Sequence, residues 1–196
     1  KEFFIAIDTA ATELFNNSDK TYSLRRESTS VTAEDFCSIY DSWIANYPII
    51  SIEDGLSEDE WVEWSNMNAK LGHKVQLVGD DLLTTNVDRI KKAIDLECAN
   101  SVLIKPNQIG TLTETQQAME TAHSVGWSNV ISHRSGETED TYIADLAVGM
   151  SAGQIKAGAP ARGERTAKYN RLIRIEETLG PNCRYGGQQI YEKFIS

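Results

Sequence analysis

Acidic and basic side chains recur at the ends of short apolar runs along this 196-residue sequence. Asp8 closes FFIAID, Glu53 lies in IISIED, Asp80 in VQLVGDD, Lys105 in SVLIKPN, His133 and Arg134 in NVISHRS, and Lys156 in QIKAGAP. If the runs are strands whose ends converge, three carboxylates meet as hard oxygen ligands. With no nearby Cys or ligand-spaced His, such a set suits Mg²⁺, whose octahedron water or substrate oxygens complete. Each carboxylate alone also has an ordinary explanation as a turn former or helix cap. The lysines are harder to explain that way, because a strand directed at an interior does not cheaply hold an ammonium without anionic partners. For Lys105 to take a proton near neutrality it has to give up its own, which neighbouring cations favour.

Arg134, Ser135 and the start of the helix after them form a candidate phosphate cradle: a fork of donors, a hydroxyl and free backbone N–H groups. Ser135 or Thr138 also suits simple capping of that helix, where Glu137, Glu139 and Asp140 favour its dipole. His133 is a candidate donor to substrate or a packed ring, while His73 and His123 fall on loop and helix patterns and read as structural or solvated.

The elements that must position these groups follow from periodicity. Six β-rich runs alternate with longer amphipathic stretches, the pattern of a parallel sheet. Thr32 to Asp35 forms a capping box before Phe36, Ile39, Tyr40, Trp43, Ile44 and Tyr47, whose three-and-four spacing puts them on one helix face towards the sheet. Ser57 to Glu60 reads as a second box ahead of Trp61, Trp64, Met67 and Leu71, and Asn86 caps a helix with Val87, Ile90 and Ile94. Gly72, Gly126 and Gly180 stand where helices stop. The polar segment Asn16 to Ser30 is a long connection, an excursion or small hairpin on the active face.

After the first unit the repeat is about 25 residues, the cadence of an α/β fold of the TIM-type (β/α) barrel. About six of eight strand-helix units fit in this length, so the expectation is that the chain begins inside the barrel. A doubly wound open sheet is the alternative, but no GxGxxG or GxxxxGK[ST] turn follows any strand.

Composition bounds the partners. With 29 Asp plus Glu against 19 Lys plus Arg, a formal charge of -10 disfavours nucleic acid and leaves a metal cation as a natural partner. Cys37, Cys98 and Cys183 are odd in number and form no CxxC pair, which fits a reducing, cytoplasmic setting. No apolar run approaches the roughly 18 residues of a membrane span.

The strings SIED around Glu53, GDDL around Asp80, LIKPNQIGT around Lys105, SHRSGETEDT from Ser132, GQIKAGAPARGER from Gly153 and RIEETLG near the end resemble the enolase family over essentially the whole chain. The resemblance implies an enolase-like barrel region (residues 1–196) without the family's N-terminal domain and first two barrel strands. It implies Mg²⁺-dependent dehydration of 2-phosphoglycerate to phosphoenolpyruvate in the intact protein, a cytoplasmic lyase of glycolysis that is commonly a homodimer. It further implies that Asp8, Glu53 and Asp80 bind the metal, Lys105 takes the C2 proton and Lys156 contacts the substrate carboxylate. His133, Arg134 and Ser135 are implied to bind substrate, the last two near its phosphate. The general acid is expected outside this chain, which alone should be nearly inactive. The rivals are another superfamily dehydratase, against which SHRSGETED speaks, and a non-catalytic role such as plasminogen capture.

Overall fold

Runs rich in Ile, Val and Leu, bounded by turn formers, become strands, and the amphipathic stretches between them become helices. The computed structural model describes residues 3–194. Strand β1 (Ile5–Asp8) leads into a short 3-10 turn and a small antiparallel sheet of β2 (Phe15–Asn16), β3 (Thr21–Leu24) and β4 (Thr29–Val31). Five further strands follow: β5 (Ile49–Glu53), β6 (Gln76–Gly79), β7 (Ser101–Ile104), β8 (Ser128–Ser132) and β9 (Gly153–Lys156). They join β1 in a parallel sheet of order β1-β5-β6-β7-β8-β9. Although β1 and β9 are its end strands, Lys156 Nζ reaches Asp8 Oδ2 at 2.7 Å, so the sheet is curled into a half-barrel. The expected small hairpin after the first strand is thus a three-stranded sheet, and all six expected barrel strands are present.

The helices are α1 (Ala33–Asn46), α2 (Trp61–Leu71), α3 (Val87–Asp95), the single turn α4 (Pro106–Ile109), α5 (Leu112–His123), α6 (Tyr142–Gly149) and α7 (Gly163–Leu179). Every residue of β5, β6 and β7 is buried, as parallel strands covered on both faces must be. Trp64, Met67, Leu71 and Ile90 are fully buried from the helix side, each removal from water contributing about 1.5–3 kcal/mol.

The start signals fare unequally. Thr32 and Asp35 cap α1 reciprocally, and Asn86 accepts from the Asp88 and Arg89 amides. The Ser57–Glu60 box does not form: α2 begins after Glu60 with no side-chain cap. Ser57 is buried, its N–H donates to the hydroxyl of buried Tyr22 at 2.9 Å, and its carbonyl accepts from Trp64 Nε1 at 3.0 Å. A tertiary anchor between the small sheet and the barrel replaces the local motif. On α1, Phe36 and Tyr40 are buried as expected, but Trp43 is 39% and Tyr47 57% exposed. Trp43 lies edge-on against Tyr40 at the rim of the stripe, and Tyr47 is already the extended residue ending the helix.

Helices α6 and α7 are joined by Arg171, whose Nε donates to Asp145 Oδ2 at 2.9 Å. That hydrogen bond holds the Asp145 carboxyl below its ordinary value of 3.8. Because the folded pKa is depressed, the pair stabilises above the unfolded value and its contribution is lost as pH falls through the folded one. Asp145→Asn should therefore lower the thermal midpoint modestly at neutral pH and converge with wild type in acid. A gap that widens on acidification contradicts this.

Candidate active site

Each expected site residue stands at or just past a strand end, because a polar side chain there escapes the dry layer between strands and helices while the strand fixes its position. Asp8 ends β1, Glu53 ends β5 and Lys156 ends β9; Asp80, Lys105 and His133 lie just past β6, β7 and β8. Asp8 and Glu53 are register partners, so two like charges are held on neighbouring strands about 4.8 Å apart. Lys156 answers both, donating to Asp8 Oδ2 at 2.7 Å and Glu53 Oε1 at 2.6 Å. Burial pushes the Glu53 carboxyl up to about 7 against the opposing pull of Lys156. Burial presses the Lys156 pKa down, but its bonds to Asp8 and Glu53 outweigh that and leave it raised. Lys105 makes the second such pair, its ammonium contacting Asp80 Oδ2.

The three expected metal ligands are therefore divided between two lysines. The tight carboxylate trio is instead Asp54, Asp80 and Asp81, whose oxygens lie within 4.8 Å of one another. Asp54 is committed elsewhere: its two oxygens accept the Asp80 amide at 2.8 Å and the Asp81 amide at 3.0 Å. It acts as the clamp of the turn that carries Asp80. The donor set of Asp8, Glu53 and Asp80 fits Mg²⁺, being hard carboxylate oxygens on three adjacent strands that already draw cationic nitrogen.

Beyond β8 the expected phosphate cradle is differently built. Arg134 and Ser135 lie in an exposed loop, and α6 begins only at Tyr142, so no helix N-terminus follows Ser135 directly. Thr138 accepts from the Asp140 amide, and Asp140 in turn accepts from the Tyr142 amide at 2.8 Å. These Asx- and Thr-type turns use the Thr and Asp side chains before the helix starts. Arg134 reaches across to Asn107 Oδ1 at 3.2 Å, while the His133 backbone N–H donates to the Lys156 carbonyl at 2.9 Å.

A family model described as Enolase, C-terminal TIM barrel domain, matches residues 1–194. The chain belongs to this family. Enolase-type chemistry is the coarse functional meaning of that membership, and the strand-end cluster is where an enolase barrel would carry it. A TIM barrel places its working residues at the C-terminal strand ends, which is where Asp8, Glu53, Asp80, Lys105, His133 and Lys156 lie.

Several supports of this strand-end cluster carry no sequence signal. Thr85, fully buried with φ +56°, accepts the Lys105 amide at 2.9 Å and donates to Gln108 Oε1 at 3.0 Å. Tyr40 OH donates to the Gly55 carbonyl at 2.9 Å, fixing the turn after Glu53 from the helix layer. Asp54 itself sits at φ +45°, a conformation that aspartate tolerates better than most residues.

Proposed function

We propose that this chain supplies the proton-abstracting side of an enolase, converting 2-phosphoglycerate to phosphoenolpyruvate with Mg²⁺. The observation that supports it most strongly is the alternation of charge at the barrel mouth, Asp8–Lys156–Glu53 beside Asp80–Lys105. Asp8, Glu53 and Asp80 would hold the metal. Bound there, Mg²⁺ supplies the concentrated positive charge without which a proton beside a carboxylate is scarcely acidic.

The side chains then have distinct tasks. Lys156, no longer needed by Asp8 and Glu53, is free to pair with the substrate carboxylate. Lys105, no longer held by Asp80, would first release its own proton to solvent and, as the neutral amine, accept the C2 proton on Nζ. His133, Arg134 and Ser135 bind the remainder of the substrate, with Arg134 and Ser135 towards the phosphate. Loss of hydroxide from C3 needs a general acid. We assign that group to a part of the intact protein outside this chain, together with two strands that close the half-barrel between β1 and β9. The intact protein is taken to be a cytoplasmic homodimer acting on these two metabolites, and no feature of the described residues favours plasminogen capture.

The test is an ultraviolet assay of phosphoenolpyruvate formation. The intact protein should turn over 2-phosphoglycerate at saturating Mg²⁺ and stop when the metal is chelated, whereas the 196-residue chain alone should turn over little. An intact protein that forms no phosphoenolpyruvate under these conditions overturns the proposal.

A further inference from the structure

Glu137 lies four residues after His133 in the loop beyond β8, with its amide donating to the Arg134 carbonyl at 3.1 Å. Its side chain is only 8% exposed, an unusual place for a carboxylate. One oxygen, Oε2, contacts His133 Nδ1, and the other, Oε1, lies 3.5 Å from Arg165 Nε on α7. All four atoms are sealed from water, and none of them makes a well-aligned hydrogen bond to any described residue, so these two close contacts are what faces the carboxylate. A buried carboxylate so placed is tolerated only through the cationic or N–H groups that face it.

The enclosure is completed by backbone. Gly158, with φ +77°, comes so close that a Cβ there would stand 2.7 Å from Arg165 Cδ and 3.1 Å from His133 Cε1. The loop is tied down from behind by buried Lys168, whose ammonium donates to the Thr138 and Glu164 carbonyls. His133 is thereby gripped on its Nδ1 side. Among the described residues its Nε2 has no protein partner and is not sealed from solvent.

We propose that Glu137 is a positioning residue for His133: with Arg165 holding its other oxygen, it keeps the proton of the neutral imidazole on Nδ1 and leaves Nε2 as the ligand-facing nitrogen. The inference deepens the enolase reading and rests on it for the identity of the ligand, 2-phosphoglycerate. The asymmetry of the carboxylate's two partners makes it specific. Arg165 can only donate, so one acceptor must face it, and the oxygen left for His133 can only accept. An amide in place of the carboxylate would turn its single oxygen to Arg165 and its NH₂ to Nδ1, reversing the tautomer in an unchanged shape.

The experiment is Glu137→Gln in the intact protein, read by ring-nitrogen NMR of ¹⁵N-histidine in alkaline buffer, where the ring is neutral, and by steady-state kinetics. Wild type should show the Nδ1–H form and Glu137→Gln the Nε2–H form, with kcat/KM for 2-phosphoglycerate reduced about 10- to 100-fold, the size of loss seen when the partner that orients a metal-bound histidine is removed. Glu137→Ala serves as a second arm and should give a mixture of tautomers. If wild-type His133 carries its proton on Nε2, or Glu137→Gln leaves it on Nδ1, the proposal is overturned. The NMR result requires no turnover, so an inactive protein whose tautomer switches would refute the enolase reading while upholding the positioning role.

Discussion

Lys105→Ala should abolish exchange of the C2 proton of 2-phosphoglycerate with solvent while leaving Mg²⁺ bound. The expected loss in rate is about 10²- to 10⁴-fold, the usual contribution of a positioned proton acceptor. The same substitution frees Asp80 from the ammonium that contacts it. Affinity for the metal should therefore be unchanged or higher, since a cation competing for the same oxygens is gone. Deuterium incorporation measured by mass spectrometry, beside calorimetric titration with Mg²⁺, separates the two effects. Retained exchange would assign the base to another residue, and a parallel loss of metal binding would make Lys105 a structural partner of Asp80.

The second large effect is expected at Asp54, which touches no substrate in the proposed scheme. Its carboxylate accepts both amides of the turn bearing Asp80, and it is 4% exposed. Burial pushes its pKa up to about 7, with the Asp81 and Asp80 amides pulling the other way. Hydrogen bonds to a charged acceptor contribute about 1.5–3 kcal/mol each, and part of that is cancelled by desolvation, so Asp54→Ala should cost about 2–4 kcal/mol. Urea unfolding measures this. Asp54→Asn, which retains one acceptor oxygen, should fall between the two. Because the turn then loosens beneath Asp80, Mg²⁺ affinity should drop along with stability. An alanine variant as stable as wild type would show that the two amides find replacement partners in water.

What the sequence disclosed and what it concealed divide along physical lines. The six strands are legible because apolar β-branched runs end at a charged residue and a turn former, and the same pattern marks Asp8, Glu53, Asp80, Lys105, His133 and Lys156 as strand-end residues. The pairing among them was not legible. That Lys156 bridges Asp8 and Glu53 depends on the curl of the sheet, which brings its two end strands face to face. Supports such as Asp54 and Thr85 stand at positive φ and accept backbone amides through their side chains, and neither periodicity nor residue type announces that role. The Ser57–Glu60 motif shows the opposite failure: a valid local signal was overruled when the Tyr22 hydroxyl took the Ser57 amide. Glu137 carries only a helix-dipole signal in the sequence, because the pattern places the start of α6 earlier than Tyr142.

The contact between Asp8 and Lys156 spans 148 positions of the polypeptide. During synthesis the acids of β1 and β5 emerge long before the lysine that pairs with them, and until it arrives only solvent ions screen the two carboxylates from each other. The charge pairing at this end of the sheet is thus completed only when β9, the last of its six parallel strands to be synthesised, takes its place.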